Sequence, residues 1–315
     1  MLPKVKGKIK VAVLGYGSQG RAVAQNLRDF GYEVLIGLKP RSRSRALAQK
    51  DGFKNIMTIA ETVPQAEIIC LALPDYRHAA IFVKDIEKNL KPGATLWFLH
   101  GLSVHFGLVK PPAAVDVILL APHAPGTAVR EKFLTDKSVS AFYAVAQNKS
   151  GRATKTVFAL AKGIGIQKKR LVKTTFEDEA VGDIFGEQAV LCGGLAMLIK
   201  NGFEVLVENG LKPENAYLEV AFQLDLIVQL IKQYGIEGMF ERISVTARYG
   251  SLLAGPRIID KNVKKNMESV LSGIKAGKFT RNLQNLSEKE LKSLKKAMKS
   301  LSHPRLEKIA RKYSK

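Results

Sequence analysis

The stretch Val11-Ala12-Val13-Leu14-Gly15-Tyr16-Gly17-Ser18-Gln19-Gly20 restricts the possible folds more than any other part of the sequence. A β-branched run gives way to G-x-G-x-x-G and then to a helical stretch, Ala22 to Phe30. Gly15 permits a tight turn, Gly17 lets a backbone approach a pyrophosphate, and Gly20 allows close helix–strand packing. The helix N-terminus then offers free N–H groups to the anion. Further runs follow at Glu33 to Ile36, Ile68 to Ala72, Thr95 to Leu99, Val117 to Leu120 and Val139 to Ala146. Nearly continuous apolar runs alternating with helical stretches read as strands covered on both faces. The expected fold is therefore an α/β Rossmann domain with a doubly wound, mostly parallel sheet and right-handed crossovers.

The end of the second strand selects the dinucleotide. An NAD site carries Asp or Glu there, to accept from the ribose 2′-hydroxyl. Here the chain reads Gly37-Leu38-Lys39-Pro40-Arg41-Ser42-Arg43-Ser44, with three cations, two hydroxyls and no acid. That is the donor set a 2′-phosphate requires. NADPH is the expected cofactor, with Gly15, Tyr16, Gly17, Ser18, Gln19 and Gly20 at the pyrophosphate and Lys39, Arg41, Ser42 and Ser44 at the ribose.

After Phe176 the pattern becomes helical, so a domain of residues 1–175 is expected to precede an all-α domain of residues 176–315. Gly186 to Glu208 is apolar nearly all round, which predicts a buried helix. Pro213 opens a second long helix reaching about Tyr234. Hydrophobic residues make up 46% of the chain, enough for a substantial core. Cys70 and Cys192 cannot form a disulfide framework and read as packing residues in a reducing, cytoplasmic compartment. Met1 to Lys10 has no apolar leader core, and no uninterrupted run reaches the roughly 18 apolar residues of a membrane span.

Net charge is +22, and residues 261–315 hold sixteen Lys or Arg against four acids. From Ser287 onward Leu291, Leu294, Met298 and Leu301 form one stripe among lysines, the pattern of a helix docked on its own protein with a solvated basic face. Tyr313 is the only aromatic there for base stacking, so neither nucleic acid nor membrane is an expected partner.

Asp183 and Glu187 stand at i and i+4 on one helix, and Glu219 and Gln223 stand likewise on the next. Spacing alone leaves two readings open, ordinary solvated acids or a hard-cation site for Mg2+.

The stretch Asp183-Ile184-Phe185-Gly186-Glu187-Gln188-Ala189-Val190-Leu191-Cys192-Gly193-Gly194 resembles the signature of ketol-acid reductoisomerases, the acetohydroxy-acid isomeroreductases. The likeness extends through Gly15 to Gly20, Leu90 to Ala94, His100-Gly101, His105 to Gly107, Thr174 to Phe176, Ile243-Ser244, Thr246-Ala247, Tyr249-Gly250 and Gly255 to Arg257. Its length is similar to that of the short class of the family. The resemblance implies a Rossmann domain, a knotted helical domain, and active sites completed across a homodimer or higher homo-oligomer. It implies a 2-acetohydroxy acid rearranged with Mg2+ and the resulting 2-keto acid reduced by NADPH. Carried over, Asp183, Glu187 and Glu219 would hold one or two Mg2+ ions, and Ser244, with Ile243, would contact substrate. His100 would line the nicotinamide side, while Leu73, Pro74, Asp75 and Gly126 would join the cofactor site.

Three segments depart from the family pattern. Its second glutamate on the later helix is Gln223, its Ala-Pro-Lys-Gly-Pro-Gly segment reads Ala121-Pro122-His123-Ala124-Pro125-Gly126, and its Ala-Glu-Tyr-Gly-Asp reads Ala247-Arg248-Tyr249-Gly250-Ser251. An amide is a poorer ligand for a dication than a carboxylate, and His123 is not a fixed cation as lysine is. His100, His123, Asp183, Glu187, Glu219 and Gln223 are thus the candidate catalytic set. The expected function is NADPH-dependent reduction of a 2-keto acid or related carbonyl or imine, with a weakened isomerase step. The alternatives are a fully active enzyme of branched-chain amino-acid (valine and isoleucine) biosynthesis, and a catalytically silent NADPH-binding protein.

Overall fold

The computed structural model describes residues 9–313, so the reading of Met1 to Lys10 lies almost wholly outside the described residues. The chain divides into two compact units, one up to Gly182 and one from Asp183. The division falls inside helix α8 (Phe176–Phe185), later than the boundary expected at residue 175.

The first unit is built on one sheet. Its strands are β1 (Lys10–Leu14), β2 (Glu33–Gly37), β3 (Ile56–Met57), β4 (Ile68–Leu71), β5 (Thr95–Phe98), β6 (Asp116–Pro122), β7 (Ala141–Gln147) and β8 (Leu171–Lys173). They lie in the order β3-β2-β1-β4-β5-β6-β7-β8. Pairing is parallel throughout except between β6 and β7. The strand runs read from sequence match six of these strands. β3, with two residues, and β8, an edge strand with Val172 half exposed, are too short to leave an apolar run.

Helices α1 (Ser18–Phe30), α2 (Ser44–Lys50), α3 (Ile59–Thr62), α4 (His78–Ile81), α5 (Leu102–His105), α6 (Gly126–Leu134) and α7 (Ala153–Gly163) connect the strands. Both sheet faces are covered, which is why the strand sequences do not alternate: Val11, Ala12, Val13, Leu14, Trp97 and Phe98 are all fully buried. Each large aliphatic or aromatic side chain so buried contributes roughly 1.5–3 kcal/mol. The Trp97 indole N–H donates to the Leu120 carbonyl at 3.1 Å, so its polar atom is satisfied inside the core. Strand order reverses between β1 and β4, and the ends of these two strands open the crevice where ligands of such sheets bind.

The second unit continues from α8 through a π-helical segment, Gly186–Leu191, into α9 (Gly193–Glu208). Next come α10 (Pro213–Tyr217), a second π segment (Leu218–Phe222), and α11 (Leu224–Glu241), which breaks at Gly235 with φ 74°. Helices α12 (Val245–Ile258), α13 (Lys261–Lys275), α14 (Lys278–Gln284), α15 (Glu288–Leu301) and α16 (Pro304–Tyr313) complete it.

Four sequence expectations fail here. The apolar helix over Gly186 to Glu208 is not buried within the chain: Phe203 is, but Leu191, Leu198 and Val205 stand about half exposed or more. The helical stretch Phe176–Glu208 is also apolar and long enough to cross a membrane by length and composition, although no unbroken apolar run exists. Its Gly and charged residues interrupt the run without lowering its average enough. Cys192 is exposed, whereas Cys70 is fully buried and burial pushes its thiol pKa up. Finally, the stripe of α15 is not docked, since Leu294, Met298 and Leu301 are exposed. The docked element is α16, reached after a break at Ser302 and His303. It buries Ile309 against Phe203 and Ala216 and stacks Tyr313 on Tyr217 at 5.9 Å.

Candidate active site

The glycine loop closes as its sequence requires. Gly15 has φ 102°, and a Cβ there would collide with the Ala72 carbonyl at the end of β4. A Cβ on Gly20 would strike the Gly15 carbonyl. Gly17, at the N-cap of α1, faces open space instead. No side chain caps α1 and no acid occupies its first turn, so its terminal N–H groups face the crevice without a competing carboxylate. Gly126 backs onto the loop, since a Cβ at that position would overlap the Ser18 carbonyl. The Gln19 amide donates to the Ala124 carbonyl at 2.7 Å, while its buried Oε1 has no hydrogen-bond partner among the described residues. An open cradle, an uncapped helix terminus and an orphaned acceptor together fit a bound dinucleotide.

Tyr16 has a second job. It is buried, and its hydroxyl donates to Asp51 Oδ2 at 2.8 Å, while Arg21 grips the same carboxylate at 2.6 and 2.8 Å. Arg21 holds the Asp51 carboxyl below the usual range, and burial with Asp51 raises the Tyr16 phenol. The phosphate loop is thereby tied to the residue that follows α2. Lys39 and Arg41 are exposed after β2, Ser42 and Ser44 are half-buried, and the Ser44 N–H donates to Ser42 Oγ at 3.3 Å. Arg45 points the other way and donates to the carbonyls of Leu38, Ile56 and Met57.

A second group of residues lies in the same unit, after β4 and β5. His78 is buried at the start of α4. Its Nε2 lies 2.9 Å from the Leu73 carbonyl and its Nδ1 lies 2.7 Å from Ser103 Oγ. A carbonyl only accepts, so Nε2 carries the proton and Nδ1 accepts from the serine hydroxyl. Burial holds this imidazole below its ordinary pKa, against the opposing pull of Asp75 at 3.8 Å. His78 thus braces the Leu73-Pro74-Asp75 turn against α5. Glu179 is the residue that pattern reading missed. Buried on α8, it accepts the Gly101 N–H at 2.5 Å through Oε2, the oxygen that sits 3.1 Å from His100 Nδ1. No motif marked it, because its partners lie 78 and 79 residues earlier in the chain. His123 is exposed after β6, with its ring edge-on to Phe142 at 4.2 Å.

In the second unit Asp183 and Glu187 are exposed, Asp183 on α8 and Glu187 on the first π segment. Glu219 is exposed on the second π segment. Such segments recur at functional sites, where the widened turn re-aims side chains. The Gln223 amide donates to Glu219 Oε2 at 3.0 Å, so the amide engages the acid beside it. No group of three or more His, Cys, Asp or Glu able to hold a metal forms among the described residues. Asp183, Glu187 and Glu219 are therefore not gathered into one metal centre within the single chain. Ser244 caps α12, accepting from the Ala247 N–H at 3.1 Å, and Ile243 before it is half-buried. Arg248 is tied to the carbonyls of Phe240 and Glu241 at the end of α11.

Residues 4–169 match the family described as acetohydroxy acid isomeroreductase, NADPH-binding domain, and residues 176–315 match the ketol-acid reductoisomerase, C-terminal domain. The ketol-acid reductoisomerase (NADP(+)) of Pyrobaculum aerophilum is 47% identical over 98% of this chain and 93% of its own length. That of Corynebacterium aurimucosum is 47% identical over 94% of this chain and 88% of its own. Among solved structures, an NADH-preferring ketol-acid reductoisomerase from an uncultured archean superposes with a TM-score of 0.91 at 38% identity, covering 97% of this chain and 94% of that one.

Proposed function

Because the chain belongs to the ketol-acid reductoisomerase family, we propose that it is an NADPH-dependent reductase of that type whose isomerase step is weakened. The Gly15–Gly20 loop and the N-terminus of α1 would hold the pyrophosphate of NADPH, and Lys39, Arg41, Ser42 and Ser44 would hold its 2′-phosphate. The solved relative prefers NADH; the basic, acid-free loop after β2 favours NADPH here. Leu73, Pro74, Asp75, His100 and Gly126 complete the cofactor side. The hydride acceptor is a 2-keto acid, with Ser244 and Ile243 on its carboxylate side.

Asp183, Glu187 and Glu219 offer the hard oxygen donors that Mg2+ takes. When bound, the ion polarises the oxygens of an acetohydroxy or keto acid and NADPH supplies the hydride. The chain's own residues orient and exclude water: Glu179 fixes the corner at His100 and Gly101, and His78 holds the Leu73 turn. A second copy of this chain completes the site and covers the exposed apolar face of Phe176–Glu208. Asp183, Glu187, Lys200 and Glu204 interrupt that face, and each charge near a bilayer centre costs about 2.5–3.5 kcal/mol, which favours a protein partner over lipid. Tyr313 packs on Tyr217 and Phe222, so this ring is engaged within the protein rather than presented for base stacking.

The observation that carries the weakened isomerase is the Gln223 amide on the Glu219 carboxylate. It replaces a negative ligand by a neutral donor and occupies the remaining one, which reduces the charge available to a second dication. A fully active isomeroreductase has support in the 47% identity to curated relatives over nearly the whole chain. NADPH oxidation with Mg2+ separates the readings. The reduced-isomerase reading expects the already rearranged 3-hydroxy-2-keto acid to be consumed with kcat/KM about 100-fold above that for 2-acetolactate. Comparable values would establish the full reaction, and NADPH binding without turnover on either would establish a silent protein.

A further inference from the structure

The first unit contains a cavity of 510 Å3 that none of the residues placed above lines. Phe133 from the last turn of α6, Phe158 from α7 and Leu171 from β8 form its apolar walls. Gly165 makes room for it: its φ is 86°, and a Cβ there would lie 2.7 Å from Phe133 Cδ2. Lys137, Lys162 and Lys168 stand around it, all exposed, and Asp136 is the one acid among the lining residues. Lys168 Nζ lies 5.7 Å from the centre of the Phe158 ring, so a cation already sits over the apolar wall. None of the three lysines forms an ion pair among the described residues.

An apolar chamber of this size with a few charged residues at its rim is the form of a small-molecule site. Lys137 and Lys168 at the rim favour an anion, while the Lys162 ammonium lies over Phe30 at 6.0 Å, and the aromatic walls favour an apolar body behind the anion. A singly charged carboxylate fits better than a phosphate, because most of the lining offers no hydrogen bond.

The same walls connect to the cofactor loop. Helix α6 runs from Gly126, which abuts the Ser18 carbonyl, to Phe133 on the cavity wall. Arg130 between them donates to Asn26 Oδ1 at 2.8 Å and to Asp29 Oδ2 at 2.5 Å, fastening α6 to α1. A ligand in the cavity would contact Phe133, near the far end of the helix whose first residue abuts the phosphate loop.

We propose that this cavity is an effector site for an aromatic or branched aliphatic monocarboxylate, and that its occupation tightens NADPH binding. The coupling half rests on the NADPH reading given above, so NADPH affinity is measured first without any effector. The probe is 4-fluorophenylacetate, followed by 19F NMR on the full chain with and without saturating NADPH. Saturable binding that persists with NADPH bound is expected, together with an NADPH Kd about 5-fold lower when the probe saturates. Lys137→Glu with Lys168→Glu should weaken probe binding more than about tenfold, while Lys169→Glu, just outside the lining, should not. Unchanged NADPH affinity of these surface variants without probe shows that they are folded. Absence of saturable binding, equal binding by the charge-reversed variant, or an NADPH Kd unmoved by the probe would each overturn the proposal. A fall in self-association in the charge-reversed variant would assign the cavity to a second copy instead and also overturn it.

Discussion

The sheet unit and the helical unit spend their apolar residues differently. Val11 to Leu14, Leu96 to Phe98 and Ile118 to Leu120 are sealed inside the first unit by its own helices. In the second, α9 buries Phe203 alone, and Leu198, Val205, Phe222, Leu226 and Leu253 remain exposed. At roughly 25 cal/mol per Å2, an uncovered helix face forgoes much of the stabilisation its composition could provide. The first unit is complete as a single chain, whereas the second has the composition of a core and the exposure of an interface.

The strongest way to break that contrast is to charge the exposed face. If a second copy covers this face as proposed, Leu198→Glu with Val205→Glu, two turns apart on α9, should lower the oligomeric mass and reduce 2-keto acid reduction more than about 100-fold, with NADPH Kd unchanged. Sedimentation and cofactor titration read the two halves separately; unaltered mass and activity would show that this face meets nothing. Restoring a carboxylate by Gln223→Glu is a gentler intervention. It should raise Mg2+-dependent turnover of 2-acetolactate about 30-fold, near 2 kcal/mol of activation free energy, and make stability more dependent on Mg2+. Turnover that does not rise would place the deficit elsewhere, with His123 the next candidate.

Inside the sheet unit the effects should be on stability. Glu179→Gln leaves a shape that fits but a weaker acceptor for the Gly101 N–H, and should cost about 1–2 kcal/mol in urea unfolding. The smallest effect expected is that of pH. Burial depresses the folded-state pKa of His78, so the unfolded chain takes up the proton first as pH falls below about 6.5. The unfolded state then binds more protons, and stability declines with falling pH across that window. His78→Gln should flatten that decline; an identical slope would mean another group dominates.

The contrast also explains what the sequence could disclose. β1, β2, β4, β5 and β6 were legible because a strand covered on both faces has no alternative to a continuous apolar run. The phosphate loop was legible because its glycines answer to collisions within a few residues and with the adjacent strand. Exposure of α9 was not, since periodicity records that a residue is apolar and not which surface will cover it. Glu179 and His78 were hidden for another reason: their roles come from partners brought together by the sheet, and neither has a local pattern. The division at Gly182 lies within a helix, where composition does not change.

The two π segments of the second unit have a consequence beyond the acids they carry. Gly186–Leu191 and Leu218–Phe222 each interrupt an otherwise α-helical path. Compared with a regular helix, such a turn behaves as an inserted residue. Deleting one residue would restore regular winding and rotate everything beyond it by about 100° relative to what precedes. Most surface loops absorb a change of length, but here it would act as a twist, swinging α9 or α11 away from the face it now presents. At these two turns, chain length is the quantity under constraint, and a deletion should do more damage than almost any substitution.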